Sequence, residues 1–462
     1  DTLNGGEGDD FLKGDEGNDL IDGGTGNDTV AYDWNSSSGI SVSLVNGSGV
    51  VTGGSGTDTL SSIENITGSF FNDVISIGDT SIGGFIEGRA GNDVLTGGSG
   101  NNYITGGSGA DTIDGGAGSD TANYSNEAYD NNGSISVTGR GVVVSLATGT
   151  ATDNWGNQDV LRNIEQVIGS QYADSLVGDA NNNSLTGGSG DDTLDGGAGD
   201  DRLKGDFGND LIAGGAGSDW AAYDGTGPSS GISVSLVNGA GVVTGGLGTD
   251  TLSSIENIVG SYFDDAISIG DTSIGGSIDG RDGNDVLTGG NGNNTVFTGT
   301  ITGQGGLTKT GAGTVVLSGN SNFSGNNTVS TGTLVAASNT ALGSTAGTTS
   351  VTAGATLGLQ GGITVPAGET LTLNGAGGLG LAIDEGTSAK TGPSTRCTRT
   401  AFTANFRPRR SRRPRRMSPW PTRNSRRRRC RRRFNFRPTA RSPRSSSCDI
   451  RATAGRRAGS RC

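Results

Sequence analysis

The hexapeptide Gly-Gly-x-Gly-x-Asp occurs nine times in this chain, beginning at Gly5, Gly23, Gly53, Gly106, Gly115, Gly187, Gly196, Gly214 and Gly245. Near-matches at Gly14, Gly88, Gly205 and Gly280 carry Asp or Arg in place of the second Gly. Most copies are followed by x-apolar-x, completing a nine-residue unit such as Gly187-Gly188-Ser189-Gly190-Asp191-Asp192-Thr193-Leu194-Asp195. A wide, layered core is out of reach, because 88 of the 462 residues are Gly and only 31% are hydrophobic, well under the globular norm. What remains is a flexible spacer or a repeat fold with a thin core between tight turns. A spacer has no need of an apolar residue at every eighth position, so the repeat fold is the reading.

The units run back to back in four blocks, about 5–31, 88–123, 178–222 and 280–297. Between them lie longer segments. One reads Gly39-Ile40-Ser41-Val42-Ser43-Leu44, a period-two strand signal, and ends in Ile63-Glu64-Asn65-Ile66. A relative runs from Gly141-Val142-Val143-Val144-Ser145-Leu146 to Asn163-Ile164-Glu165, and a third copy spans Gly231 to Asn257. Residues 39–102 and 231–294 align without gaps at 54 of 64 positions, a duplication within one gene. Near residue 300 the texture changes to short Thr, Val and Leu runs separated by Gly and Asn, which predicts further short strands.

The nonapeptide divides into a six-residue turn and a three-residue strand. Gly at positions one, two and four is expected to take φ > 0, which residues with a Cβ resist. So tight a turn aims carbonyl oxygens inward, and Asp at position six adds a carboxylate. Hard oxygen ligands of this kind suit Ca²⁺. The candidate metal ligands are Asp10, Asp19, Asp28, Asp93, Asp111, Asp120, Asp192, Asp201, Asp210, Asp219 and Asp285, with the carbonyls of Gly5, Gly23, Gly106, Gly115, Gly187, Gly196 and Gly214. Two nonapeptides make one coil, so each ion is expected to draw on Asp residues eighteen positions apart, such as Asp10 with Asp28 or Asp192 with Asp210. Asn102, Asn183 and Asn294 stand where Asp is expected and should weaken those sites. The position-eight residues (Leu12, Ile21, Val30, Leu95, Ile104, Ile113, Leu185, Leu194, Leu203 and Ile212) should form the core. Glu64, Glu165 and Glu256, equivalent in the three interblock copies, are expected to fix a turn or join a calcium site.

This pattern resembles the RTX, or hemolysin-type, calcium-binding repeat proteins. The resemblance covers about 1–297 and implies a parallel β-roll, bound Ca²⁺ and export from a bacterium. Leu307-Thr308-Lys309-Thr310-Gly311-Ala312-Gly313-Thr314 and Gly332-Thr333-Leu334 resemble the strand repeat of autotransporter passenger domains, which implies a β-helical stalk at the cell surface. The expected fold is therefore all-β, a parallel β-roll or β-helix solenoid in stacked blocks. Its divisions are 1–123, 124–297, a passenger-like region 298–380, and a disordered Arg-rich tail 381–462.

Charge divides the chain again. From Arg396 onward there are 24 Arg and one acidic residue, Asp449, whereas residues 1–395 carry a net charge of −37. A body so acidic repels itself unless cations neutralise it. All four Cys lie in the basic tail, which has no aromatic interleaving for stacking bases, so no nucleic-acid partner is expected. The abrupt switch to Arg, Pro, Ser and Cys is what a shifted reading frame yields in a GC-rich gene; a genuine basic tail and a junction artefact are the alternatives. With no His anywhere, Ser-His-Asp triads and His-ligated zinc are excluded, and no catalytic site is expected. No membrane span or signal peptide is visible, and the opening Asp1-Thr2-Leu3-Asn4, half a repeat, reads as a fragment of a longer protein. The functional expectation is an extracellular or cell-surface structural stalk of adhesin type, with calcium and host or cell-surface ligands as partners. The alternative is the secretion and folding module of an RTX protease or lipase.

Overall fold

The three-residue x-apolar-x segments form strands with the middle side chain turned inward, as a period of two requires. In the computed structural model, residues 1–398 are described apart from 34–35, 79–82, 126–138, 226, 228, 271–275, 284, 289–294 and short stretches between 298 and 395. Residues 399–462, and with them nearly all of the Arg-rich run, lie outside the described residues, as does Asn294.

Successive coils pair in parallel at the eighteen-residue offset: Leu3 opposite Ile21, Leu185 opposite Leu203, Leu194 opposite Ile212. Alternate nonapeptides feed two facing sheets, so one apolar residue per unit meets its counterparts from the other side. Ile21, Val30, Leu95, Ile104, Ile113, Leu185, Leu194, Leu203 and Ile212 are all buried, and Leu12 packs half-buried against them. Full burial of each contributes about 1.5–3 kcal/mol, so the row is the chief apolar driving force.

Among the described residues one sheet has nineteen strands and the facing sheet twelve. The interblock segments account for the difference. Ile40–Val45, Ser48–Gly53 and Gly56–Ser61 form an antiparallel meander; its last strand lies parallel to Leu20–Thr25 and its first to Val74–Gly78. The first hairpin turns at Asn46-Gly47, with φ of 50° and 72°, the two-residue geometry that matches strand twist. Meanwhile the other sheet passes each segment with single strands, Thr29–Ala31 pairing with Asn65–Thr67 and that with Phe85–Glu87. The pattern recurs with Val143–Ser145, Thr150–Thr152 and Gln158–Arg162, and with Ile232–Val237, Gly241–Gly245 and Gly248–Ser253.

Two of the nine hexapeptides are consequently not β-roll turns. Those at Gly53 and Gly245 close the second hairpin of a meander, with Gly53 paired antiparallel to Gly56 and Gly245 to Gly248. The Gly-Gly pair supplies left-handed backbone to either kind of turn. The Val-Val-Thr strand before it, already in antiparallel register, selects the hairpin.

Beyond residue 294 the coils lengthen to about twenty residues and acquire a third side. Thr314–Leu317, Asn322–Phe323 and Asn327–Val329 make one such coil, and Val315, Leu334 and Leu357 stack in register through three of them. Rungs continue to Arg396–Thr398, past the division expected at 380. Residues 1–400 form one compact unit, within which the divisions expected at 123 and 297 fall.

Candidate metal centre

In each repeat turn the second and fourth glycines are left-handed, as at Gly6 (φ 103°) and Gly8 (φ 111°), but the first is not. Position one must be Gly for a different reason than expected. A methyl group on Gly5 would lie 2.5 Å from both Asp10 Oδ2 and the Gly23 carbonyl oxygen of the next coil. On Gly196 it would lie 2.4 Å from Asp201 Oδ2 and 2.6 Å from Gly214 O. The absent Cβ leaves room for a carboxylate oxygen and a carbonyl oxygen to approach one another.

Backbone hydrogen bonds line the carboxylates up. The Asp10 N–H donates to Asp28 Oδ1 at 2.8 Å, Asp93 to Asp111 at 2.7 Å, Asp192 to Asp210 at 2.9 Å and Asp201 to Asp219 at 2.9 Å. These bonds make two rows of Asp, one along each edge of the stack. Oδ1 of each Asp so engaged is satisfied. Oδ2 is not: in all eleven candidate Asp residues it is shielded from solvent and has no hydrogen-bond donor. Burying a carboxylate oxygen without a partner costs several kcal/mol, and the same orphan at the same place in eleven turns fits a cation.

The remaining donor set fits calcium. Among the described residues no three carboxylates or other metal-binding side chains converge, so most ligands must be carbonyls, which Ca²⁺ takes alongside carboxylates. Asn102 shows which. Its Nδ2 donates to Gly100 O at 2.7 Å and to Gly115 O at 3.2 Å, the fourth residue of its own turn and the first of the next coil's. An amide nitrogen here sits where two carbonyls and a carboxylate would otherwise surround an ion.

The expected glycine carbonyls divide accordingly. Those of Gly23, Gly106 and Gly214 face Asp10, Asp93 and Asp201. Those of Gly115, Gly187 and Gly196 face Asn102, Asp174 and Asn183 instead, and among the described residues no Asp is set against the Gly5 carbonyl. Sequence reasoning missed Gly205 O, which faces Asp192, and Ser62, Asn163 and Ser254 O, which face the turns of Asp28, Asp120 and Asp219. These last three residues are left-handed, with φ near 50°. Two positions on, Glu64, Glu165 and Glu256 accept the N–H of Asp28, Asp120 and Asp219 through Oε2 at 2.9–3.0 Å. Each Glu thereby closes one row, doing for the last Asp what the next Asp does elsewhere.

Two further sets of Asp escaped notice. Asp58, Asp159 and Asp250 end the other row by accepting the N–H of Asp19, Asp111 and Asp210; Tyr124 donates to Asp159 Oδ2 at 3.3 Å. Asp73, Asp174 and Asp265 begin rows by donating to Asp93, Asp192 and Asp285. A signal for the second set was present: Gly68, Asp73 and Ile75 keep the spacing of positions one, six and eight, without the second and fourth Gly.

Burial, reinforced by neighbouring carboxylates, pushes Asp93 up to about 9, Asp192 and Asp285 to about 8, and Asp210 to about 7. With no cation these four carboxyls hold protons near neutral pH; a divalent ion would hold them ionised.

A thin-cored parallel solenoid with an orphaned carboxylate oxygen in each of eleven turns is the build of a calcium-binding repeat protein. The family model of the RTX calcium-binding nonapeptide repeat, in four copies, matches residues 1–30, 87–122, 168–203, 186–221 and 276–300. The passenger-associated-transport-repeat matches residues 307–336. The chain thus carries both repeats, the first calcium-binding, and the pair marks an exported repeat protein, secreted or at the surface. No curated protein matches it. Among the described residues no helix is long and apolar enough to cross a membrane.

Proposed function

We propose that the chain is a calcium-stabilised stalk of a bacterial surface protein of adhesin type, folding on contact with extracellular calcium and structural rather than catalytic. The observation that carries this reading is the set of eleven orphaned Oδ2 atoms along two rows. Asp Oδ2 and the carbonyls opposite it would hold Ca²⁺, which would supply charge neutralisation to a body of net charge −37. Extracellular modules bind Ca²⁺ with dissociation constants of about 10⁻⁴–10⁻³ M. At tenfold excess each site contributes about 1.4 kcal/mol, so six supply ~8 kcal/mol, the stability of an ordinary domain.

Circular dichroism in chelator and then in millimolar Ca²⁺ tests the reading. The β signal of the repeats should grow on adding calcium. A spectrum indifferent to chelator would overturn the mechanism, and full replacement by Mg²⁺ would overturn the ion. The structural role is supported by the interblock Glu residues, each of which accepts a backbone N–H. Hydrolysis by the purified chain, lost in Glu256→Gln, would refute it. The adhesive role is supported by the passage of one stack from RTX coils into passenger-type coils. Calcium-dependent attachment of coated beads to cells is the expected result; beads that never attach would leave a stalk without adhesion.

A further inference from the structure

We propose that five turns of the solenoid replace the cation with donors of the chain's own, so that the calcium rows are interrupted at built-in, ion-free joints. The inference rests on the calcium reading of the other turns.

Three of the five are Gly-Ser-x-x-x-Asp turns. Ser69 donates its N–H to Asp73 Oδ2 at 2.6 Å and its hydroxyl to Asp73 Oδ1 at 2.8 Å. Ser170 does the same to Asp174 at 2.5 and 2.7 Å, and Ser261 to Asp265 at 2.8 and 2.7 Å. The serine oxygen then accepts the N–H of Phe71, Tyr172 or Phe263, each at 3.1 Å. The cradle is otherwise that of the repeats: a methyl on Gly68 would lie 2.3 Å from Asp73 Oδ2 and 2.9 Å from Gly88 O. What differs is that Oδ2 is engaged. In a repeat turn the second residue is left-handed, a Gly in most turns and Asp15, Arg89, Asp206 or Arg281 in the others. Here a serine with ordinary φ stands there, and its N–H meets the carboxylate where an ion would otherwise sit.

The other two turns reach the same end with Asn at position six. Asn102 gives its amide nitrogen to Gly100 O and Gly115 O. Asn183 Oδ1 accepts the Asp179 N–H at 2.8 Å, and its Nδ2 donates to Glu165 O at 3.3 Å. These sites are closed from within, not weakened by one charge as the sequence alone implied. None of the five side chains at position six has an orphaned buried atom, whereas every candidate Asp does. Along its own row each serine turn is followed by a calcium turn, that of Asp93, Asp192 or Asp285, and so gives that row a preformed first turn to build on.

The test counts ions and reads amide exchange on the whole chain. Calcium stoichiometry should be unchanged in the triple variant Ser69→Ala, Ser170→Ala, Ser261→Ala, and three ions lower in Asp93→Asn, Asp192→Asn, Asp285→Asn. In chelator the amides of Ile40, Val142 and Ile232, which donate to the three joint carboxylates, should stay protected while those of Asp192 and Asp201 exchange. The serine triple variant should lose that protection. Stoichiometry that falls in the serine variant, or joint amides exchanging in chelator as fast as repeat amides, would overturn the joints while leaving calcium binding intact. A wild-type chain that takes up no calcium would overturn the reading beneath.

Discussion

An aspartate held near neutrality by burial makes calcium and protons rivals for one oxygen. Asp93, Asp192, Asp210 and Asp285 have folded values raised to about 7–9, above the roughly 3.9 of an unfolded Asp. The ion-free fold therefore binds protons more tightly than the unfolded chain. The stability these four groups contribute is greatest below about pH 4 and is lost as pH rises through 7–9. Thermal denaturation in chelator should show a higher midpoint at pH 5 than at pH 8; with millimolar Ca²⁺ the acid advantage should shrink or reverse. A second prediction concerns the missing Cβ at position one. Gly196→Ala would drive a methyl against Asp201 Oδ2 and Gly214 O, so calorimetry should find that ion lost and the turns of 5–31 unaffected, since coupling in a solenoid runs between neighbours.

Among elements, the inward strand residue is the sensitive point. Leu203 lies fully buried between Leu185 and Ala221. Leu203→Ala should cost about 2–5 kcal/mol, measured by denaturant unfolding in saturating calcium. The inward row was legible in the sequence because position eight is apolar in unit after unit, and parallel stacking at eighteen residues followed from two units per coil. The candidate Asp residues were legible for the same reason. What escaped was whatever depends on the partner strand. Gly53 and Gly245 carry the repeat's own letters, yet antiparallel pairing with Ile40–Val45 or Ile232–Val237 makes them hairpin turns. Conversely Gly68 to Asp73 lacks two signature glycines and still closes a coil, because Ser69 supplies the bonds. The carbonyls of Ser62, Asn163 and Ser254 were invisible, since a carbonyl leaves no mark in the residue type that bears it.

For the molecule as a whole, calcium should govern the RTX coils and not the coils after them. In the passenger-type coils a buried polar row also runs along the stack: Leu307 N–H donates to Asn327 Oδ1, Asn327 Nδ2 to Thr349 Oγ1, and Thr349 Oγ1 to Glu369 Oε1 at 2.9 Å. Each member finds its partner within the chain, and fully satisfied buried networks hold without an ion. Limited proteolysis in chelator should therefore open 178–222 while sparing 307–359; cleavage of both at equal rates would show that the later coils lean on the earlier ones. The duplication acquires a physical meaning here. The segment copied from 39–102 to 231–294 runs from a meander through its closing Glu and its serine turn into the start of the following run. It is a complete connector with a finished end on either side. Recombination between such connectors, or gain and loss of nonapeptide pairs between them, would lengthen or shorten the rod in whole coils of roughly 4.8 Å without leaving a half-built site. In a surface stalk of the kind proposed, reach would then be a quantity that selection can adjust in small steps through copy number alone.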